Sequence, residues 1–158
     1  MNKTNWLHNV RGEWYVIGQA VLMSAVLFAP KLDGRTLSWF DIAVIAGGAL
    51  CIVGLGFVVL GSIGLGRNLS AFPKPKDDST LVKSGIFSVV RHPIYSGFIL
   101  FAFGWSLTWG SIAALIAALA LLVFFDIKAR REEHWLEAKF GDYAAYKQGV
   151  KKLIPFVY

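Results

Sequence analysis

The chain has 158 residues, of which 56% are hydrophobic and 16% charged, and its net charge is +6. A soluble domain carries about 25% charged residues, whereas here apolar residues gather in long runs with a mean hydropathy of +0.55. This excludes an ordinary soluble globule and predicts an all-α integral membrane protein. It also argues against a nucleic-acid partner, because the basic residues follow the ends of the apolar runs and no recognition motif accompanies them.

Residues 1–13 are polar. The first predicted span covers about 14–29, with Trp14 and Tyr15 at its start, where amphipathic rings favour the interface. No small-x-small cleavage site follows, so it reads as a retained span. Residues 30–41 form a short polar connection with a turn at Asp33-Gly34. The second span, about 42–65, belongs to a stretch carrying Gly47, Gly48, Gly54, Gly56, Gly61, Gly64 and Gly66. Such a helix has a bare face that another backbone, or a ligand, can approach closely. Cys51 lies in this span; as the single cysteine it forms no intramolecular disulfide and reads as a small hydrophobe.

Residues 67–92 form the longest loop. The prolines of Pro73-Lys-Pro-Lys-Asp-Asp78 forbid a regular helix. From Leu81 onward the loop is apolar enough to pack on the rest of the domain. Pro93 suits the first turn of a helix. The third and fourth spans, about 94–109 and 112–127, form a helical hairpin turned by Gly110-Ser111. The tail, 128–158, is polar and helical in composition. Within it Gly141 is expected to stop one helix, and Asp142 to cap the next. With no internal repeat, residues 1–158 read as a single membrane domain of four spans plus cytoplasmic C-terminal helices.

Four spans sort the Lys and Arg residues into 14 on one side and 2 on the other. Both termini and the long loop are therefore predicted to be cytoplasmic, in the cell's inner (plasma) membrane. The Arg91 segment and the tail then share one face.

Two constellations carry chemistry. Arg91-His92-Pro93-Ile94-Tyr95 places a cation, a titratable ring and a phenol at a helix N-terminus, which favours an anionic group. The alternative is a plain anchor: a positive-inside arginine, a helix-starting proline and an interface ring. In Lys128-Ala-Arg-Arg-Glu-Glu-His-Trp-Leu136, the residues Lys128, Glu132, Leu136 and Phe140 form one stripe at four-residue spacing. Glu132 thus faces inward, toward an ion-pair partner such as Arg91 or Lys128, or toward a ligand with amines or hydroxyls. Glu133 shares a stripe with Glu137 and is expected in solvent. Tyr143 and Tyr146 are expected to dock the tail on the loop. His8, His92 and His134 are far apart and no His/Cys/carboxylate cluster appears, so no metal site is expected.

Read together, Leu81-Val-x-Ser-Gly-Ile-Phe-x-x-Val-Arg-His-Pro-Ile-Tyr-x-Gly97, the hairpin, Glu132-Glu133-x-x-Leu136-x-x-x-Phe-Gly-x-Tyr-x-x-Tyr146 and Leu153-Ile-Pro155 resemble the isoprenylcysteine carboxyl methyltransferase family. The related phospholipid N-methyltransferases share the glycine-rich helix and the paired glutamates. The resemblance covers about residues 42–156. It implies a membrane enzyme that moves a methyl group from S-adenosylmethionine to a carboxylate or thiol of a lipid-like or lipidated acceptor entering from the bilayer. Cofactor contacts would fall on Ser79, Thr80, Leu81, Val82, Phe87, His92, Pro93, Ile94, Tyr95 and Glu132. Arg91 and Glu132 would be catalytic, and Lys128 would bind the substrate. The chain departs from the family pattern in having Lys128 where arginine is usual in eukaryotic members, and Phe87 where tyrosine is common. Two other readings stay open at this point: an NADPH-dependent membrane reductase of the sterol-reductase type, and a non-enzymatic scaffold or resistance protein.

Overall fold

The computed structural model describes residues 11–31 and 38–158. Among these are five α-helices: α1 (Glu13–Leu27), α2 (Ser38–Leu65), α3 (Pro93–Trp109), α4 (Ile112–Lys139) and α5 (Tyr143–Gly149). The described residues contain no strand, and their β-type pairing is one parallel bridge between Val90 and Lys151. The predicted Asp33-Gly34 turn lies outside the described residues.

Two helical stretches, Ile42–Asn68 and Ile112–Lys139, are long and apolar enough to cross a membrane. α1 and α3 have 15 and 17 residues; at ~1.5 Å per residue each needs its flanking residues to cross a core of about 30 Å. The outer face of α2 is apolar, with Ile45, Ile52 and Ile63 each more than 70% exposed. A face of that kind suits lipid rather than water.

Glycines decide how α2 meets α3. A Cβ placed on Gly54 would sit 2.6 Å from the Gly97 carbonyl oxygen, and one on Gly97 would sit 2.5 Å from that of Gly54. Gly47 and Gly104 are matched in the same way, at 2.6 and 2.5 Å. The spacing is seven residues on both helices, so one seam of bare backbone runs along an antiparallel pair. Lipid chains are as apolar as leucine, so such pairs hold by close packing rather than by the hydrophobic effect. Gly61 ends the seam against Ile94 and Pro93. The seam therefore fixes the entrance of α3.

The predicted hairpin is present. Gly110 takes a left-handed φ of 66°, and the Ser111 hydroxyl accepts from Ala114 N at 3.1 Å to cap α4. The polar tail differs from the prediction at its start, because α4 runs unbroken through it to Lys139. Lys, Ala, Arg and Glu are good helix formers, and neither Gly nor Pro interrupts them. Phe140 caps the helix in an extended conformation, so the stop precedes Gly141. Asp142 occupies the N-cap position of α5 without a capping hydrogen bond; its carboxylate pairs with Lys83 Nζ at 2.5 Å instead. Val26, Ile99, Leu121, Phe125 and Leu153 share one buried cluster, which ties α1, α3, α4 and the segment after α5 together below the long loop.

Candidate active site

A cavity of about 400 Å³ lies between the long loop, the entrance of α3, the C-terminal third of α4 and α5. Its size falls within the range of about 300–1,000 Å³ typical of small-molecule sites. The stripe Lys128, Glu132, Leu136 and Phe140 lines it, as the four-residue spacing predicted. The structure also brings Ser79, Thr80, Leu81, Val82, Phe87, Arg91, His92, Pro93, Ile94 and Tyr95 to the lining of the same cavity.

The loop keeps its shape through polar straps rather than regular structure. Asn68 Nδ2 donates to the Thr80 carbonyl and hydroxyl at 3.1 and 3.2 Å, and Thr80 N donates back to Asn68 Oδ1 at 3.2 Å. Lys139 Nζ reaches across from α4 to Ser79 Oγ at 2.8 Å and the Asp77 carbonyl at 2.9 Å, and also to the Lys76 carbonyl. Residues 76–80 are thereby bound to α4 and to Asn68 in the turn that follows α2, forming one side of the cavity.

At the α3 entrance His92 stacks on Tyr95 (centroids 5.3 Å apart), and Tyr95 stacks on Phe125 at 4.9 Å. The Tyr95 hydroxyl donates to Glu132 Oε2 at 2.5 Å, and His92 Nδ1 lies 3.8 Å from the same oxygen. Glu132 thus turns inward as expected, but its protein partner is a phenol rather than Arg91 or Lys128. Its Oε1 takes no protein hydrogen bond among the described residues, and the carboxylate borders the cavity.

Lys128 is 1% exposed. Its ammonium donates to Gln19 Oε1 at 2.5 Å, approaches the Ala71 carbonyl at 3.4 Å, and lies 5.0 Å from the centre of the Tyr95 ring. These partners are neutral, so a buried cation faces the cavity without a carboxylate bonded to it.

Glu133 corrects the expectation of a solvated residue: its side chain is 4% exposed. Glu133 Oε1 accepts from Arg91 Nε at 2.9 Å and NH2 at 2.7 Å, and lies 3.2 Å from His92 Nε2. Helical phase alone failed here because Arg91 and His92 at the α3 entrance and Lys147 of α5 cover the face of α4 beside the cavity-lining stripe. Glu133 lies in the polar third of α4, beyond the apolar stretch 112–127. Burial alone would raise its carboxyl, but the hydrogen bonds and charge of His92 and Arg91 outweigh that and hold it at about 2. Arg91 NH1 donates further to the carbonyls of Lys147, at 2.9 Å, and Val150. The guanidinium expected to be catalytic is thus engaged mainly with protein acceptors, clamping the tail to the α3 entrance. Arg91 N and His92 N extend the clamp to the Lys151 and Lys152 carbonyls at 2.8 and 3.1 Å.

Sequence reasoning missed Gln19, Phe98, Tyr143 and Tyr146 as lining residues. Gln19 carried no signal, since its partner is 109 positions away. The tyrosines did carry one, the same motif that was read as structural, and Tyr146 does dock the tail: its hydroxyl donates to the Phe87 carbonyl at 2.6 Å.

The family described as Phospholipid methyltransferase matches residues 42–143 of the 158. This chain belongs to that family. The match runs from α2 to the first residue of α5 and so contains the loop, the α3 entrance and the α4 stripe, while Gln19 and Tyr146 fall outside it. Among relatives of the family member described here is the protein-S-isoprenylcysteine O-methyltransferase of Schizosaccharomyces pombe, 34% identical over 114 residues, covering 65% of this chain and 48% of that protein. The protein-S-isoprenylcysteine O-methyltransferase B of Arabidopsis thaliana is 32% identical over 115 residues, covering 66% and 58%. A cobalt-zinc-cadmium resistance protein, CzcN, of Cupriavidus metallidurans is 26% identical over 145 residues, covering 91% and 62%. The chain spans about half the length of the curated methyltransferases it matches first.

Proposed function

We propose that this chain is an integral membrane methyltransferase that uses S-adenosylmethionine and acts on the carboxylate or thiol of a lipid-like or lipidated acceptor. The observation that carries the reading is the cavity itself. One wall is the stripe Lys128–Glu132–Leu136–Phe140, the opposite wall is the strapped loop, and the α3 entrance closes one end.

The donor set fits the cofactor. Glu132 offers a carboxylate oxygen, Oε1, to an amine or to ribose hydroxyls. The N-terminus of α3, behind Pro93, offers a partial positive charge to a carboxylate. Phe87, Phe140 and Tyr95 supply ring faces for a planar base and for a sulfonium cation. When bound, S-adenosylmethionine supplies a methyl group activated by positively charged sulfur. Tyr95 orients Glu132 through their 2.5 Å hydrogen bond, and His92 stacks behind Tyr95 to fix the ring. Lys128, buried among neutral partners, favours an anionic acceptor. A carboxylate acceptor needs no proton removed, so the protein's work is alignment and exclusion of water. Apolar Val58, Leu65 and Phe98 line the cavity between α2 and α3 and suit a hydrocarbon chain.

In this reading α1 to α4 all cross the bilayer, residues 1–158 act as one domain, and the site and both termini lie on the cytoplasmic side of the inner membrane. Calorimetry on the detergent-purified full chain tests it. S-Adenosylhomocysteine should bind at micromolar concentration and NADPH should not. The absence of any heat with S-adenosylhomocysteine sinks the cofactor assignment. Transfer of labelled methyl from S-adenosylmethionine into host lipid or membrane extract then identifies the acceptor.

A further inference from the structure

Tyr143 is the first residue of α5 and is 1% exposed, yet its hydroxyl has no hydrogen-bond partner among the described residues. Buried hydroxyls nearly always find one. Tyr146, one turn later, meets Tyr143 edge to face with ring centroids 5.8 Å apart, and its own hydroxyl is satisfied by the Phe87 carbonyl. The two tyrosines therefore do different work. Tyr146 holds the tail on the loop. Tyr143 lines the cavity, and its buried hydroxyl is used by no protein group among the described residues. Burial and then the field of Glu133 raise its phenol, so it stays protonated and can donate.

The walls around it give the ligand class. Phe87, Leu136, Phe140 and Tyr146 are aromatic and apolar members of the lining, whereas Lys128, Glu132 and His92 supply charged and titratable groups. A flat heteroaromatic group with an acceptor at its edge, or the sugar attached to it, matches the aromatic set together with a free hydroxyl donor. We propose that the Tyr143 hydroxyl hydrogen-bonds to the nucleoside half of the bound cofactor and is a determinant of its recognition. This rests on the S-adenosylmethionine reading above.

The test titrates two ligands into the full-length protein: S-adenosylhomocysteine, and 5′-methylthioadenosine, which keeps the nucleoside and lacks the amino-acid group. Tyr143→Phe removes one oxygen and keeps the ring. It should weaken both ligands by the same factor, roughly threefold to tenfold for one buried hydrogen bond. The ligand-free protein should melt at the same temperature or higher, because an unpartnered buried hydroxyl has been removed. Tyr146→Phe is the contrast; it should lower the ligand-free melting temperature by breaking the bond to Phe87. Unchanged affinity of Tyr143→Phe for both ligands overturns the inference while leaving the cofactor reading intact. Weakening of S-adenosylhomocysteine alone, or wild-type protein that binds S-adenosylhomocysteine but not 5′-methylthioadenosine, also overturns it, by moving the contact off the nucleoside half. Wild-type protein that binds neither ligand overturns the inference and the cofactor reading together.

Discussion

The Arg91 guanidinium and the Glu133 carboxylate, 42 positions apart, form a buried pair with contacts of 2.9 and 2.7 Å to a single oxygen. Removing one partner of such a pair leaves the other charged and buried, which costs about 3–5 kcal/mol. Arg91→Ala should therefore lower the melting temperature in detergent and release the tail, read as faster proteolysis after α4. The double variant Arg91→Met/Glu133→Leu should recover much of the loss. If Arg91→Ala melts like the wild type, the clamp has been misjudged.

The same pair sets an acid limit. The Glu133 carboxyl is lowered from 4.5 to about 2 in the folded chain. A depressed folded value means that the carboxylate stabilises the fold fully above its unfolded value near 4.5, and that this contribution is lost as pH falls toward 2. Wild-type protein should lose stability over that window. Glu133→Gln, less stable at neutral pH, should show a flatter profile there, measured by thermal melts from pH 6 to 2.

Lys128 and Glu132 lie one turn apart on α4 but should divide the substrates between them. Lys128→Met should raise the acceptor's KM at least tenfold while changing S-adenosylhomocysteine affinity less than twofold. Glu132→Gln should do the reverse, weakening S-adenosylhomocysteine by about tenfold, a loss of ~1.4 kcal/mol suited to a hydrogen bond to a charged group. Equal effects of both variants on both ligands would remove the division.

The glycine seam predicts a positional contrast. Gly54→Leu places a side chain where a Cβ is already 2.6 Å from a carbonyl oxygen, and so must push α2 away from α3. A destabilisation of about 1–3 kcal/mol, or failure to fold, is expected. Gly56→Ala, two residues away with nothing within 4 Å of its Cβ, should be neutral or stabilising. Melting curves of the two variants decide it.

Lys139 closes the loop from a distance. Lys139→Met removes its contacts to Lys76, Asp77 and Ser79 together. Protease cleavage within residues 74–80 should accelerate, and S-adenosylhomocysteine should bind several-fold more weakly, since each bond is worth about 1 kcal/mol and the loop forms a cavity wall. Unchanged cleavage and affinity would show that the bonds of Asn68 to Thr80 and of Lys76 to the Arg67 carbonyl suffice as straps.

The sequence by itself determined the helices and the stripe. Long apolar runs, Pro93 at a helix start, Gly110-Ser111 at a turn and the four-residue spacing from Lys128 to Phe140 are local signals. They express the geometry of a helix and the conformational limits of proline and glycine, which no distant contact needs to supply. Tertiary structure alone decided that Glu133 would be buried, what Arg91 would bind and where Gln19 would lie. Glu133 is buried because α5 and the segment after it fold back over α4, bringing the Val150 carbonyl to a guanidinium 59 positions earlier. A helix's phase says which residues share a face, but not how many of its faces are covered. The burial of a charged residue depends on all of them.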